Sequence, residues 1–233
     1  MALIFSPLSD DILEGPFKPY PRGVFIMLQD NDGTPLVDRT MEGTVCSVLE
    51  ELDFEPIKAT TKSGTKDFLE KIVQLIRGTG FGIAIFSQFT NATSLANIFF
   101  EVGLCNMLGK PVILVKNKDA KAPSDFIRTE WVTFSNNEEQ LRADLKKSLK
   151  DVVDLSKYFE ILGEIAFEAK ERDIELAFER YKQALLINGD KNLKSRVLNI
   201  LSDIDSEIDN RVILAASKKR LRKAIIEFSQ LVK

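Results

Sequence analysis

The sequence predicts an α/β domain on a parallel sheet up to about residue 153, followed by an all-helical region. Three observations carry this. Short, solid apolar runs recur along the first part, the mark of strands buried on both faces. Segments with helical apolar spacing lie between them. After about Asp154 strand signals stop and only helical spacing remains.

Residues 1–22 carry four prolines, Pro7, Pro16, Pro19 and Pro21, and read as an irregular lead-in. The α/β domain spans 23–153. Val24 to Leu28 is its first strand, followed by a loop with a turn at Asn31-Asp32-Gly33. A helix follows from Asp38 to Asp53, where Val45, Val48, Leu49 and Leu52 share one face. Glu55 to Ala59 is the second strand. Lys66 to Arg77 is helical, with Phe68, Ile72, Leu75 and Ile76 on one face, and Gly78-Thr79-Gly80 supplies a left-handed C-cap. Ile83 to Phe86 is the third strand, Ser94 to Leu108 a helix closing at Gly109, Pro111 to Val115 the fourth strand and Trp131 to Phe134 a short fifth. Ser135 to Glu138 has capping-box spacing, and Leu141, Leu145, Leu149 and Val152 form the apolar face of the helix it opens.

Alternating strands and helices of this kind form parallel βαβ units with helices on both faces. Five strands point to a flavodoxin-like sheet of order 2-1-3-4-5, whose ligands sit beyond the carboxyl ends of the strands. Three segments then face the cleft: Gln29 to Asp38, Ser87 to Asn97 and Lys116 to Arg128.

Residues 154–233 read as a helical interaction or oligomerisation domain, with helices over Tyr158 to Lys170, Ile174 to Ile187, Leu193 to Ala215 and Leu221 to Val232. Ala177, Tyr181 and Ala184 before Gly189-Asp190 resemble the second helix of a tetratricopeptide repeat, and Leu162-Gly163 with Ala166 its first. A single repeat cannot bury its own face, so this is at most one degenerate unit within a bundle.

Composition narrows the chemistry. The chain has 233 residues, 44% hydrophobic and 29% charged, a formal net charge of -3 and a pI near 5.3. That balance gives no electrostatic reason for nucleic acid as the main partner. Two cysteines, Cys46 and Cys105, are too few and too far apart for a disulfide scaffold or a metal site, and suit a reducing compartment. No basic stretch leads into an apolar run at the start, and no apolar run reaches the roughly 18 residues of a membrane span. A cytoplasmic protein is expected. There is no histidine. That removes Ser-His-Asp and Cys-His nucleophiles, histidine bases and the usual zinc ligands, leaving carboxylates, hydroxyls and lysines.

Glu101 stands out among Ile98, Phe99, Phe100, Val102 and Leu104, where a carboxylate is costly to bury without a partner. Asn97 precedes it by four residues on the same helix face, so both can address the cleft. Two readings stand level: a functional carboxylate, or a group that caps a loop or pairs with a lysine.

The stretch Asn97, Glu101, Val102, Gly103, Gly109, Lys110, Pro111, Val112 resembles the N-x-x-x-E-[LIV]-G and G-K-P-[VI] pattern of the nucleoside 2-deoxyribosyltransferase-like group, which overlaps the bacterial TIR-like nucleotide-binding domains. The resemblance covers about residues 22–153. It implies chemistry at a ribose C1′, with Glu101 as the catalytic carboxylate and Asn97 as its orienting neighbour. It also implies a ligand loop opening at Met27 and Leu28. N-glycosidic cleavage of a nucleotide, NAD foremost, is the activity it implies, as in effectors of antiviral defence switched on by assembly. No cofactor or metal is implied; NAD or a related nucleotide is the substrate or ligand. The helical tail then supplies contacts between copies or to a protein partner. A non-catalytic nucleotide-sensing module and a deoxyribosyltransferase are the alternatives. Many relatives have aspartate where this chain has Ser87-Gln88, which weakens the transferase reading. Asp38, Asp30 or Asp32 can supply a second carboxylate, the last two reading as solvated turn residues.

Other signals are simpler. Gly78-x-Gly80-x-Gly82 precedes a strand, so it is a helix stop and not a dinucleotide fingerprint. Arg128 suits either a phosphate or a surface salt bridge. Lys218, Lys219, Arg220, Arg222 and Lys223 read as a solvated basic face.

Overall fold

The computed structural model describes residues 18–29, 33–59, 68–121, 131–169, 173–208, 223 and 225–231. Asp30, Asp32, Arg128, most of the lead-in and the basic residues from Lys218 to Arg222 lie outside the described residues.

Five strands form one sheet: β1 (Gly23–Met27), β2 (Glu55–Lys58), β3 (Phe81–Phe86), β4 (Val112–Asn117) and β5 (Trp131–Phe134). Their order is β2-β1-β3-β4-β5 and every neighbouring pair is parallel, as the alternating sequence pattern predicts. Val24 pairs with Phe81, Gly82 with Val112 and Leu114 with Trp131. The helices are α1 (Leu36–Glu51), α2 (Phe68–Gly78), α3 (Ala92–Met107), α4 (Glu138–Glu168), α5 (Ile174–Asn188) and α6 (Lys191–Ile208), and residues 225–231 are also helical.

Successive strand residues point to opposite faces, and the apolar core divides accordingly. Val24 and Ile26 of β1, with Phe81, Ile83 and Ile85 of β3, join Met41, Val45, Val48 and Leu49 of α1 and Leu141, Leu145 and Leu149 of α4. Phe25, Met27, Ala84 and Phe86 join Ile72, Val73 and Ile76 of α2 and Ile98, Val102 and Cys105 of α3 on the other face. Solid apolar strands are what two covered faces require. Because β1 and β3 are neighbours whose following helices lie on opposite faces, their carboxyl ends open a crevice between α1 and α3.

Two caps differ from the sequence reading. Asn137, not Ser135, caps α4, its side chain accepting from the Gln140 amide at 3.1 Å. Asn136 has a φ of 58°, a left-handed conformation that cannot belong to a helix, so the start moves inward. Gly78 and Gly80 are not left-handed either: among the described residues the positive-φ glycines are Gly109 and Gly189. Gly80 is required by close approach instead, since a Cβ there would lie 2.6 Å from the Leu186 carbonyl oxygen.

Helix α4 is 31 residues long and runs straight through residues 153 and 154, where composition suggested a boundary. Its buried stripe continues from Leu149 and Val152 through Ser156 and Phe159 to Gly163 and Ala166 with no break. The first half packs on the sheet and the second half packs with α5, where a Cβ on Gly163 would meet the Tyr181 ring at 2.7 Å. The end of α5 docks at the amino edge of the sheet. Arg22 (φ 61°) donates its amide to Leu186 O at 2.8 Å. Its guanidinium reaches Asn188 O at 3.1 Å, Asp53 O at 2.8 Å and Leu52 O, gathering the exposed carbonyls at the ends of α1 and α5. The helices after α4 therefore sit at the end of the sheet opposite the crevice. Among the described residues, no helix is long and apolar enough to cross a membrane.

Candidate functional site at the carboxyl ends of β1 and β3

Strand β3 ends at Phe86, and Ser87 to Thr90 turns back tightly. Thr90 N donates to Ser87 O at 3.3 Å, Ser87 N to Thr90 Oγ1 at 2.9 Å and Phe89 N to Ser87 Oγ at 3.1 Å. Asn91 then caps α3, accepting from Ser94 N at 2.8 Å. On the β1 side, Thr34 Oγ1 donates to Gln29 O at 2.7 Å and Gln29 Nε2 to Gly33 O at 3.2 Å. Two bonds tie these loops across the crevice. Asn91 N donates to Gln29 Oε1 at 3.1 Å, and Thr90 Oγ1 donates to Asp38 Oδ2 at 2.8 Å.

Asp38 is the centre of this junction. It lies in the first turn of α1, where a carboxylate is favoured by the helix dipole, yet it is only 1% exposed. Burial pushes its carboxyl above the usual aspartate range, while the Ser87 and Thr90 hydroxyls pull the other way. Its Oδ1 is sealed from solvent and no hydrogen bond of ordinary geometry reaches it, although the Ser87 hydroxyl lies close enough to act on the carboxyl. An acceptor left so is costly, and it marks a place where a donor belongs.

The structure therefore brings Asp38 and Ser87 together, as two of the expected binding residues. Met27 is in the core, 1% exposed. Its side chain packs where a Cβ on Gly82 would sit, so only its backbone faces the crevice end. Leu28 is half-buried against the α1 face. Thr90, Gln29 and Asn91 were not singled out from sequence; the Ser87-x-x-Thr90 spacing, able to close a hydroxyl-bonded turn, is the signal that marks them.

Asn97 and Glu101 do not join this junction. Glu101 lies nine residues after the start of α3, about 14 Å along the helix axis. It flanks the buried stripe of Ile98, Val102 and Cys105, whereas Asn97 is exposed. Glu101 is half-buried and has no hydrogen-bond or ion-pair partner among the described residues. Burial pushes its carboxyl up to about 7. One turn on, burial pushes the Cys105 thiol up to about 12, so it is an inert core group. Lys110, also in the resembling stretch, is buried under the end of α2, donating to Thr79 O at 2.7 Å and Arg77 O at 3.3 Å. Burial foremost holds its amine down at about 7. Its role is to cap α2, not to meet a ligand.

The Glu101 shift has a stability consequence. Unfolded, the carboxyl titrates near 4.5; folded, near 7. The folded state is thus favoured by protonation below 4.5, and that advantage is lost as pH rises through about 7. The ionised group costs the fold about 3 kcal/mol above that range. Glu101→Gln is expected to be more stable than wild type by about 2 kcal/mol at pH 8, allowing for burial of the amide. The two proteins should converge towards pH 4.5. Urea unfolding at both pH values measures it; an equal difference at the two would show that Glu101 is solvated.

No metal-binding cluster occurs among the described residues. Fold and junction together describe an α/β protein with a buried, hydroxyl-bonded carboxylate where the carboxyl ends of β1 and β3 meet. No protein-family model matches the chain, and no curated protein matches it.

Proposed function

We propose that the chain is a flavodoxin-like domain that binds a nucleotide-type ligand in the crevice between β1 and β3. The observation that carries this is the buried Asp38 carboxylate with one oxygen lacking a donor, at the point where such sheets take their ligands. Ribose hydroxyls are small neutral donors of the kind that oxygen needs. The amino ends of α1 and α3, which open on the same crevice, suit the ligand's phosphate.

A second reading, N-glycosidic cleavage of a nucleotide with NAD as the first candidate, rests on Glu101 and puts the chemistry further along α3 than the Asp38–Thr90 junction. A carboxyl near 7 without a partner can donate a proton to a departing base or, ionised, stabilise a sugar cation. Deoxyribosyl transfer would break the same bond and pass the sugar to a second base. On this reading the protein acts as an effector of the antiviral-defence type, and the helices after α4 contact further copies or a protein partner.

Calorimetric titration with NAD and nucleoside monophosphates tests the first reading. Wild type is expected to bind at least one, and Asp38→Asn to bind it at least tenfold more weakly. Base release followed by chromatography, at low and high protein concentration, tests the second. Release by wild type and not by Glu101→Gln supports it; equal release by both removes Glu101 from the chemistry.

A further inference from the structure

Phe89 is 65% exposed, although it sits in a turn closed by three hydrogen bonds. Its own amide is held by Ser87 Oγ, and the flanking residues close the turn through Thr90 Oγ1 and Ser87 O. A loose loop would fold such a ring onto apolar surface; this turn holds it outward. Thr90, the next residue, is the one bonded to Asp38. On the other side of that bond Leu36, the first residue of α1, is 80% exposed. The crevice with its acceptor is thus bordered by an aromatic ring on a rigid turn and an aliphatic group on a helix start. A flat apolar ring carried by a molecule with hydroxyl donors fits both.

We infer that Phe89 is the stacking platform for the base of the ligand bound at Asp38, which makes the ligand class a nucleotide with a purine preferred over a pyrimidine. This rests on the nucleotide reading above. Stacking needs no hydrogen bond to the base edge, so the preference follows ring area, adenine and guanine alike. Leu36 covers the exposed edge of the same base.

The test is calorimetry with AMP, GMP, UMP and the baseless ribose 5-phosphate, using wild type, Phe89→Ala, Phe89→Trp and Asp38→Asn. Phe89→Ala is expected to weaken AMP and GMP about tenfold, UMP less, and to leave ribose 5-phosphate unchanged; Phe89→Trp should retain or tighten AMP binding. Asp38→Asn should weaken all four. AMP affinity unchanged in Phe89→Ala but reduced in Asp38→Asn would overturn the stacking assignment and leave the binding site standing. No binding of any nucleotide by wild type would overturn both. Phe89 is mostly exposed, so wild type and Phe89→Ala are expected to melt alike, and that comparison separates lost binding from lost folding.

Discussion

Gly80→Ala is expected to destabilise the protein by about 3 kcal/mol or more. The added Cβ would stand 2.6 Å from Leu186 O and 2.9 Å from Ile187 Cα. Both are backbone atoms at the end of a helix whose side chains, Leu185, Leu186 and Ile187, are buried in the core. Neither can swing aside as a side chain would, so α5 must withdraw from the amino edge of the sheet. With it would go the Arg22 amide bond to Leu186 O at 2.8 Å. Gly43→Ala is the control. A Cβ at Gly43 meets nothing within 4 Å, and its place inside α1 should make alanine stabilising by about 0.5–1 kcal/mol. Urea unfolding of both variants measures the contrast. Near-equal effects would show that α5 is not seated on the sheet.

The second large effect is at the crevice. Thr90→Val keeps the shape of the side chain and removes its hydroxyl. Asp38 Oδ2 then loses its donor and Ser87 N its acceptor, while Asp38 Oδ1 is already without one. Two further orphaned polar groups at a buried site are worth about 3 kcal/mol. Thr90→Ser, which keeps the hydroxyl, should recover most of that loss. Because the cost comes largely from a buried ionised carboxylate, Thr90→Val should lose less stability at low pH, where Asp38 is protonated. A Thr90→Val variant as stable as Thr90→Ser would show that the hydroxyl is not bonded as described.

Much of the fold was legible because its signals are local. Val24 to Leu28 and Ile83 to Phe86 are apolar at every position, which only a doubly covered strand needs, and the strand order follows. Near residue 154 the composition changes while the buried stripe of α4 does not, so the continuity of that helix was not legible from composition. Gly80 reads as a helix stop from its neighbours alone; the backbone it must admit is more than a hundred residues away. The same holds for the site. Glu101 is conspicuous in sequence because its neighbours are apolar, but helical pitch sets it well down α3 from the crevice. From sequence Asp38 is one of three acids after β1 able to supply a second carboxylate, at the start of a helix. Only the pairing of β1 with β3 brings Thr90 to it and shows that one oxygen lacks a donor.

Amide hydrogen exchange with and without saturating AMP or NAD locates the ligand on the fold. Slower exchange is expected, confined to 33–38 and 87–94, the two loops that the Asp38–Thr90 bond joins, with α5 and α6 unchanged. Protection centred elsewhere, or none at ligand concentrations that calorimetry shows to be saturating, would contradict a ligand site at the carboxyl ends of β1 and β3.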